Sequence, residues 1–176
     1  MSRGKEYQLS LLPMGIFLAS GLLILLIGIL AIAEAVQESA WQTIKAIGLT
    51  LVFPTPFIAY PIYLWRKRKA GKTFYWDEEG IVIDLQGNKV YWDEIEDIRF
   101  FRSYYIWFSK STVIYPHYTH HEKIRERRKK WMPTPGHSID WILIENPKDY
   151  HKNVMQAWKE KQKLDKNKWE LGETEK

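Results

Sequence analysis

The chain has 176 residues, 45% of them hydrophobic and 15% aromatic, with 26 Lys and Arg against 21 Asp and Glu for a net charge of +5. It has no cysteine, which excludes a disulfide framework, Cys-ligated zinc and a thiol nucleophile. The charge is uneven: only Arg3, Lys5 and Lys45 among the bases and Glu6, Glu34 and Glu38 among the acids precede Arg66, so an apolar part joins a charged, aromatic-rich part near Trp65.

Residues 1–13 are read as a short cytoplasmic segment. From Met14 to Ala33 no charge interrupts the sequence, and at 1.5 Å per residue such a run spans about 30 Å, the thickness of a bilayer's hydrocarbon core. A first transmembrane helix is expected over 14–35. A cleaved signal peptide is the competing reading. Its apolar region would be shorter, about 7–15 residues, and its start more positive, although Ala31, Ala33 and Ala35 supply the small residues of a cleavage site.

A short external connector is expected over 36–43 and a second transmembrane helix over 44–65. Lys45 sits at its entrance, where its stem can snorkel to the interface. Pro54, Pro56 and Pro61 should kink or interrupt it, and neighbours must then satisfy the freed carbonyls. Tyr60, Tyr63 and Trp65 form an aromatic belt at the exit. The linker 66–72, RKRKAGK, holds five basic residues in seven: Arg66, Lys67, Arg68, Lys69 and Lys72. The stretch between the helices from Glu34 to Thr43 has two acidic residues and no basic one. By the positive-inside rule both termini are cytoplasmic, and the chain is a multi-pass protein of the cell membrane whose first partner is the bilayer.

Beyond Lys72 the signals change to strands and turns. A turn is expected at Asp77–Gly80 and another at Gln86-Gly87-Asn88. RSYYIWFSK, STVIYPH and SIDWILIEN read as further strands. Pro147 to about Leu164 reads as a helix capped by Asn146, with Tyr150, Val154, Met155 and Trp158 at helical spacing. The expectation is a meander of six or seven short strands followed by one amphipathic helix, over 73–165. Residues 166–176 are expected to be a flexible tail.

The run FYWDEEGIVIDLQGNKVYWDEIEDI resembles the opening of bacterial pleckstrin-homology-like domains. In these a short strand, an acidic-Gly turn and a second strand lead into Trp-(Asp/Glu)-(Asp/Glu)-Ile-x-x-Ile, here Trp92, Asp93, Glu94, Ile95 and Ile98. The likeness extends over Lys72 to Lys163. Two transmembrane helices before such a domain is an arrangement found among small bacterial membrane proteins of unknown function. The resemblance implies a membrane α-helical hairpin plus a mainly-β (α+β) domain, a PH-like antiparallel barrel or sandwich with a C-terminal capping helix. The family pattern lacks the insertion between Pro116 and Gly136.

That insertion is the most unusual stretch, with Lys123, Arg125, Arg127, Arg128, Lys129 and Lys130 against Glu122 and Glu126. As a short helix or loop on a tethered domain it could meet anionic headgroups, each basic residue contributing on the order of 1 kcal/mol, with Trp131 and Met132 adding apolar insertion. A solvated charged loop without a ligand is the bland alternative. Nucleic acid is disfavoured by eight acidic residues between Asp77 and Asp97 and by the lack of a recognisable motif. His117, His120 and His121 match no standard metal spacing, and no metal or cofactor is expected. Asp93/Glu94 and Glu96/Asp97 read as solvent-facing charges rather than a catalytic pair, since neighbours on a strand point to opposite faces. Tyr104, Tyr105 and Trp107 could flank a peptide groove at a sheet edge.

The function expected is a non-enzymatic, membrane-anchored binding or scaffold module that contacts anionic phospholipid, a protein partner, or both. A small membrane immunity protein guarding against a toxin is the alternative, and an uncharacterised membrane enzyme the third.

Overall fold

The structure is a computed structural model that describes residues 4–103 and 109–172. It divides into a helical unit, Ser10–Gly71, and a globular unit formed by the residues before it and those from Lys72 onward.

In the helical unit, α1 runs Leu11–Glu38, capped by Ser10 Oγ, which accepts from the Leu12 amide. A single residue, Ser39, then turns the chain; its Oγ accepts from Gln42 N and starts α2, Ala40–Val52. The eight-residue connector expected over 36–43 is therefore absorbed into the two helices. Pro54 breaks the second arm, and α3 follows at Thr55–Lys69. Proline lacks the amide that the preceding turn needs. One residue on, Thr55 Oγ1 donates to Leu51 O. Leu11–Glu38 and Ala40–Lys69 are each long and apolar enough to cross a membrane. The seam between them is made by small residues: a Cβ on Gly28 would lie 2.5 Å from Thr50 Oγ1, and one on Gly21 2.9 Å from Ile58.

The globular unit is α+β. A tight turn at Asp77–Gly80 brings Trp76 against Ile81. Strand β1, Gly80–Val82, then pairs antiparallel with β2, Lys89–Tyr91. Between them Gly87 has φ 90°, which only glycine adopts cheaply. A 3₁₀ turn, Trp92–Glu94, leads into β3, Ile95–Arg102. That strand heads an antiparallel sheet of order β3-β4-β5, with β4 at Lys110–Pro116 and β5 at His137–Asp140. Helix α4, His121–Arg128, fills the β4–β5 connection, and α5 runs Pro147–Gly172. The core holds Ile81, Val90, Ile98, Ile114, Ile139, Tyr150 and Val154, each at most 2% exposed.

Three expectations change. The described residues form a two-stranded and a three-stranded sheet, and no barrel closes. SIDWILIEN is a strand only to Asp140. It then turns at Trp141–Leu143, where the Trp141 indole donates to Thr112 Oγ1 at 3.0 Å. The helix continues through Gly172 into the span expected to be a flexible tail, as its Lys-, Glu- and Gln-rich composition favours.

The N-terminal segment is the largest addition. Residues 4–9 are not a free flank. Tyr7 pairs with Phe74 through two 2.9 Å backbone bonds, and Leu9 pairs with Ile144, Gln8 O accepting from Glu145 N. Tyr7 and Leu9 are 3% and 1% exposed. The globular unit is thus assembled from chain on both sides of the helical unit.

Candidate functional site

Helix α4 is held by its last turn. Ile124 is buried at 1% exposure, and the two arginines that follow reach in different directions. Arg127 donates to both oxygens of Glu94, at 2.7 and 2.5 Å, and to Lys89 O, with its guanidinium 4.4 Å from the Tyr91 ring centre. Glu94 is fully buried. Burial pushes its carboxyl up, but the Arg127 guanidinium and the Tyr91 amide outweigh this and hold it below the usual carboxylate range. Glu94 is therefore no solvent-facing charge, as its place in an acidic run suggested.

Arg128 takes a second anchor. Its Nε donates to Asp84 Oδ2 at 3.3 Å and its Nη1 lies 2.7 Å from His137 Nδ1. Asp84 also accepts from the amides of Gln86 and Asn88, which fixes the β1–β2 turn. His137 is 4% exposed, and burial together with Arg128 lowers its pKa to about 4. The imidazole is thus neutral and accepts from Arg128. Arg127 and Arg128 are latches between α4 and the β1–β2 hairpin, which removes both from the surface cations expected to meet lipid. Arg125 is turned to Glu122 at 2.9 Å.

What remains outside is the turn after α4. Lys129 leaves the helix in the left-handed conformation, φ 50°. Lys123, Lys129 and Lys130 are exposed. Beyond them Trp131 is 92% exposed and Met132 68%. A side chain as large as tryptophan is normally packed against something. Here it stands in solvent beside two cations, just past a helix held by one ion pair to a buried carboxylate and a second, half-buried one.

The other expected residues fall elsewhere. Arg66, Lys67, Arg68 and Lys69 form the last turn of α3, where cations favour a helix C-terminus, with Lys69 3.9 Å over Trp65; Lys72 follows in the exposed stretch. His117 bonds Thr119, and His121 Nε2 lies 3.1 Å from Pro116 O. No group of three or more acids or histidines converges among the described residues. Tyr104, Tyr105 and Trp107 lie outside them.

Sequence reasoning missed the partition within the basic run. A cation three to four residues after a buried Ile, on a short helix beside an acidic turn, is the signal that could have found the latch. Compared with known proteins, the chain matches no family model, no curated protein and no solved structure, so its function is argued from this geometry alone.

Proposed function

We propose that this protein is a non-enzymatic, membrane-anchored binding module whose globular unit touches an anionic lipid surface through Lys129, Lys130, Trp131 and Met132. The observation that carries the reading is the 92% exposure of Trp131 beside paired lysines. Two lysines near an anionic surface contribute on the order of 2 kcal/mol, and the indole and thioether prefer the interface to water. The latch supports it, since an anchored α4 presents the tip without having to be ordered on contact. The hairpin keeps the globular unit within reach of the bilayer.

Residues 4–9 and those after Lys72 fold into one unit, which supports a hairpin whose two ends emerge on one side. The basic run Arg66–Lys72 argues that this side is the cytoplasm. The meander around the Trp92–Ile98 segment, followed by a helix packed through Tyr150, Val154 and Trp158, supports a PH-like plan.

The test uses the full chain in nanodiscs of phosphatidylcholine, with or without phosphatidylglycerol. Amide exchange across residues 129–134 should slow in the anionic discs and recover in the Lys129→Ala/Lys130→Ala variant. Equal exchange in both lipids would sink the proposal.

A further inference from the structure

The helical unit carries a groove of about 450 Å³ along the seam of α1 and α2. Where larger side chains would fill the seam, the chain has Gly28, Ala31 and Ala46. Most of the groove is apolar, with Ile27 and Leu49 exposed along it and Ile24 toward its deep end.

The end nearest the Ser39 turn differs in kind. Glu34 and Glu38 line it from α1, Gln42 and Lys45 from α2. Among the described residues neither carboxylate has a hydrogen bond or an ion pair. Lys45 holds its ammonium 5.0 Å from the centre of the Trp41 ring instead of on an acid. Charges left unpaired on a membrane helix are costly and mark a place where something binds.

Depth identifies what the groove faces. Glu34 is the first charge after the uncharged run Met14–Ala33, whose length of about 30 Å matches the hydrocarbon core. The charged end therefore lies at the level of the lipid headgroups. From Glu34 down to Ile24 the groove extends about 15 Å at 1.5 Å per residue, the depth of one leaflet's acyl layer. A soluble cation would use the charged end and leave the apolar length empty. A partner helix would fill the length but would also have to bring both signs of charge to one level. A single phospholipid supplies both parts.

We propose that the groove binds one phospholipid with a primary-amine headgroup, of the phosphatidylethanolamine class. Its acyl chain lies along Ile27 and Leu49, its phosphate meets Lys45, and its ammonium donates to Glu34 and Glu38. The charges choose this headgroup. Two carboxylates disfavour a headgroup of net negative charge, and a trimethylated amine carries the positive charge but has no N–H to give.

Native mass spectrometry of the full chain, released from detergent micelles, reads which lipid stays bound. The probes are dioleoyl phosphatidylethanolamine, its N,N-dimethyl form and dioleoyl phosphatidylcholine. All three are neutral overall, so the comparison is blind to the basic tip of α4. Affinity for the first lipid bound should follow the number of N–H groups, with the ethanolamine form held about tenfold more tightly than the choline form. Glu34→Gln/Glu38→Gln should make the two equal; both side chains are exposed and unbonded, so the fold is spared. Ala31→Phe, which fills the groove from an exposed position, should remove the preference while the helical circular dichroism stays the same. Equal affinity for the ethanolamine and choline lipids, a preference that survives Glu34→Gln/Glu38→Gln, or one that survives Ala31→Phe would each overturn the proposal.

Discussion

Arg127 holds Glu94 with both ends of its guanidinium, across 33 residues of sequence, and Glu94 has no exposed surface at all. The pair joins the most basic stretch of the globular unit to its most acidic one. It turns a charge run that looks like surface into part of the interior.

Removing one partner should therefore be costly. Glu94→Gln leaves Arg127 without its counter-ion and should destabilise the protein by about 3 kcal/mol. Replacing both, as Glu94→Leu with Arg127→Met, should recover much of the loss, because a buried apolar pair needs no desolvation. Thermal unfolding of the full chain in detergent, followed by circular dichroism, checks the order of the three proteins.

Acid should weaken the fold through His137. Its pKa of about 4 in the folded state lies below the ordinary 6.5, so between these values the unfolded chain binds the proton and the folded one does not. Stability is then full above pH 6.5, falls as pH drops toward 4, and loses up to about 3 kcal/mol from this group. Asp84 stays ionised through that window: burial raises its pKa, but Asn88, Gln86 and Arg128 outweigh it. His137→Gln should flatten the stability profile between pH 6.5 and 4, read from denaturant midpoints.

The N-terminal segment should matter more than its position suggests. Tyr7 lies 5.1 Å from the Tyr150 ring, and its hydroxyl donates to Asp149 at 2.9 Å while accepting from Asn153 at 2.8 Å. Tyr7→Phe should cost about 1 kcal/mol, and Tyr7→Ala about 3–5 kcal/mol through the cavity it leaves. Limited proteolysis between residues 72 and 172 reads the effect.

In the helical unit, Gly28 and Gly48 make a matched pair. A Cβ at Gly28 would strike Thr50, whereas Gly48 has nothing within 4 Å. Gly28→Leu should open the hairpin and lower the yield of folded protein in detergent. Gly48→Leu should leave it unchanged.

Legibility followed the range of the interactions. The apolar arms, the Asp77–Gly80 and Gly87 turns and the α5 stripe of Tyr150, Val154 and Trp158 are local patterns, and each is readable from a few neighbouring residues. Glu94–Arg127, Asp84–Arg128 and Tyr7–Phe74 join segments tens of residues apart, and no periodicity encodes them. The same limit applies to the basic run. Sequence located it, but only packing separates Arg127 and Arg128, which are spent inside, from Lys129 and Lys130, which face out. Residues 4–9 were too short and too polar to announce a strand, yet alternate burial of Tyr7 and Leu9 is the pattern of one.

The most direct test of the account is the depth of the α4 tip. Met132→Cys, the sole thiol of the full chain, would carry an environment-sensitive fluorophore in liposomes containing phosphatidylglycerol. The account predicts a blue-shifted probe quenched by lipids labelled near the headgroup, and a return to the aqueous spectrum with Lys129→Ala/Lys130→Ala/Trp131→Ala. A probe with an aqueous spectrum in the unaltered background, untouched by any lipid-borne quencher, would contradict it.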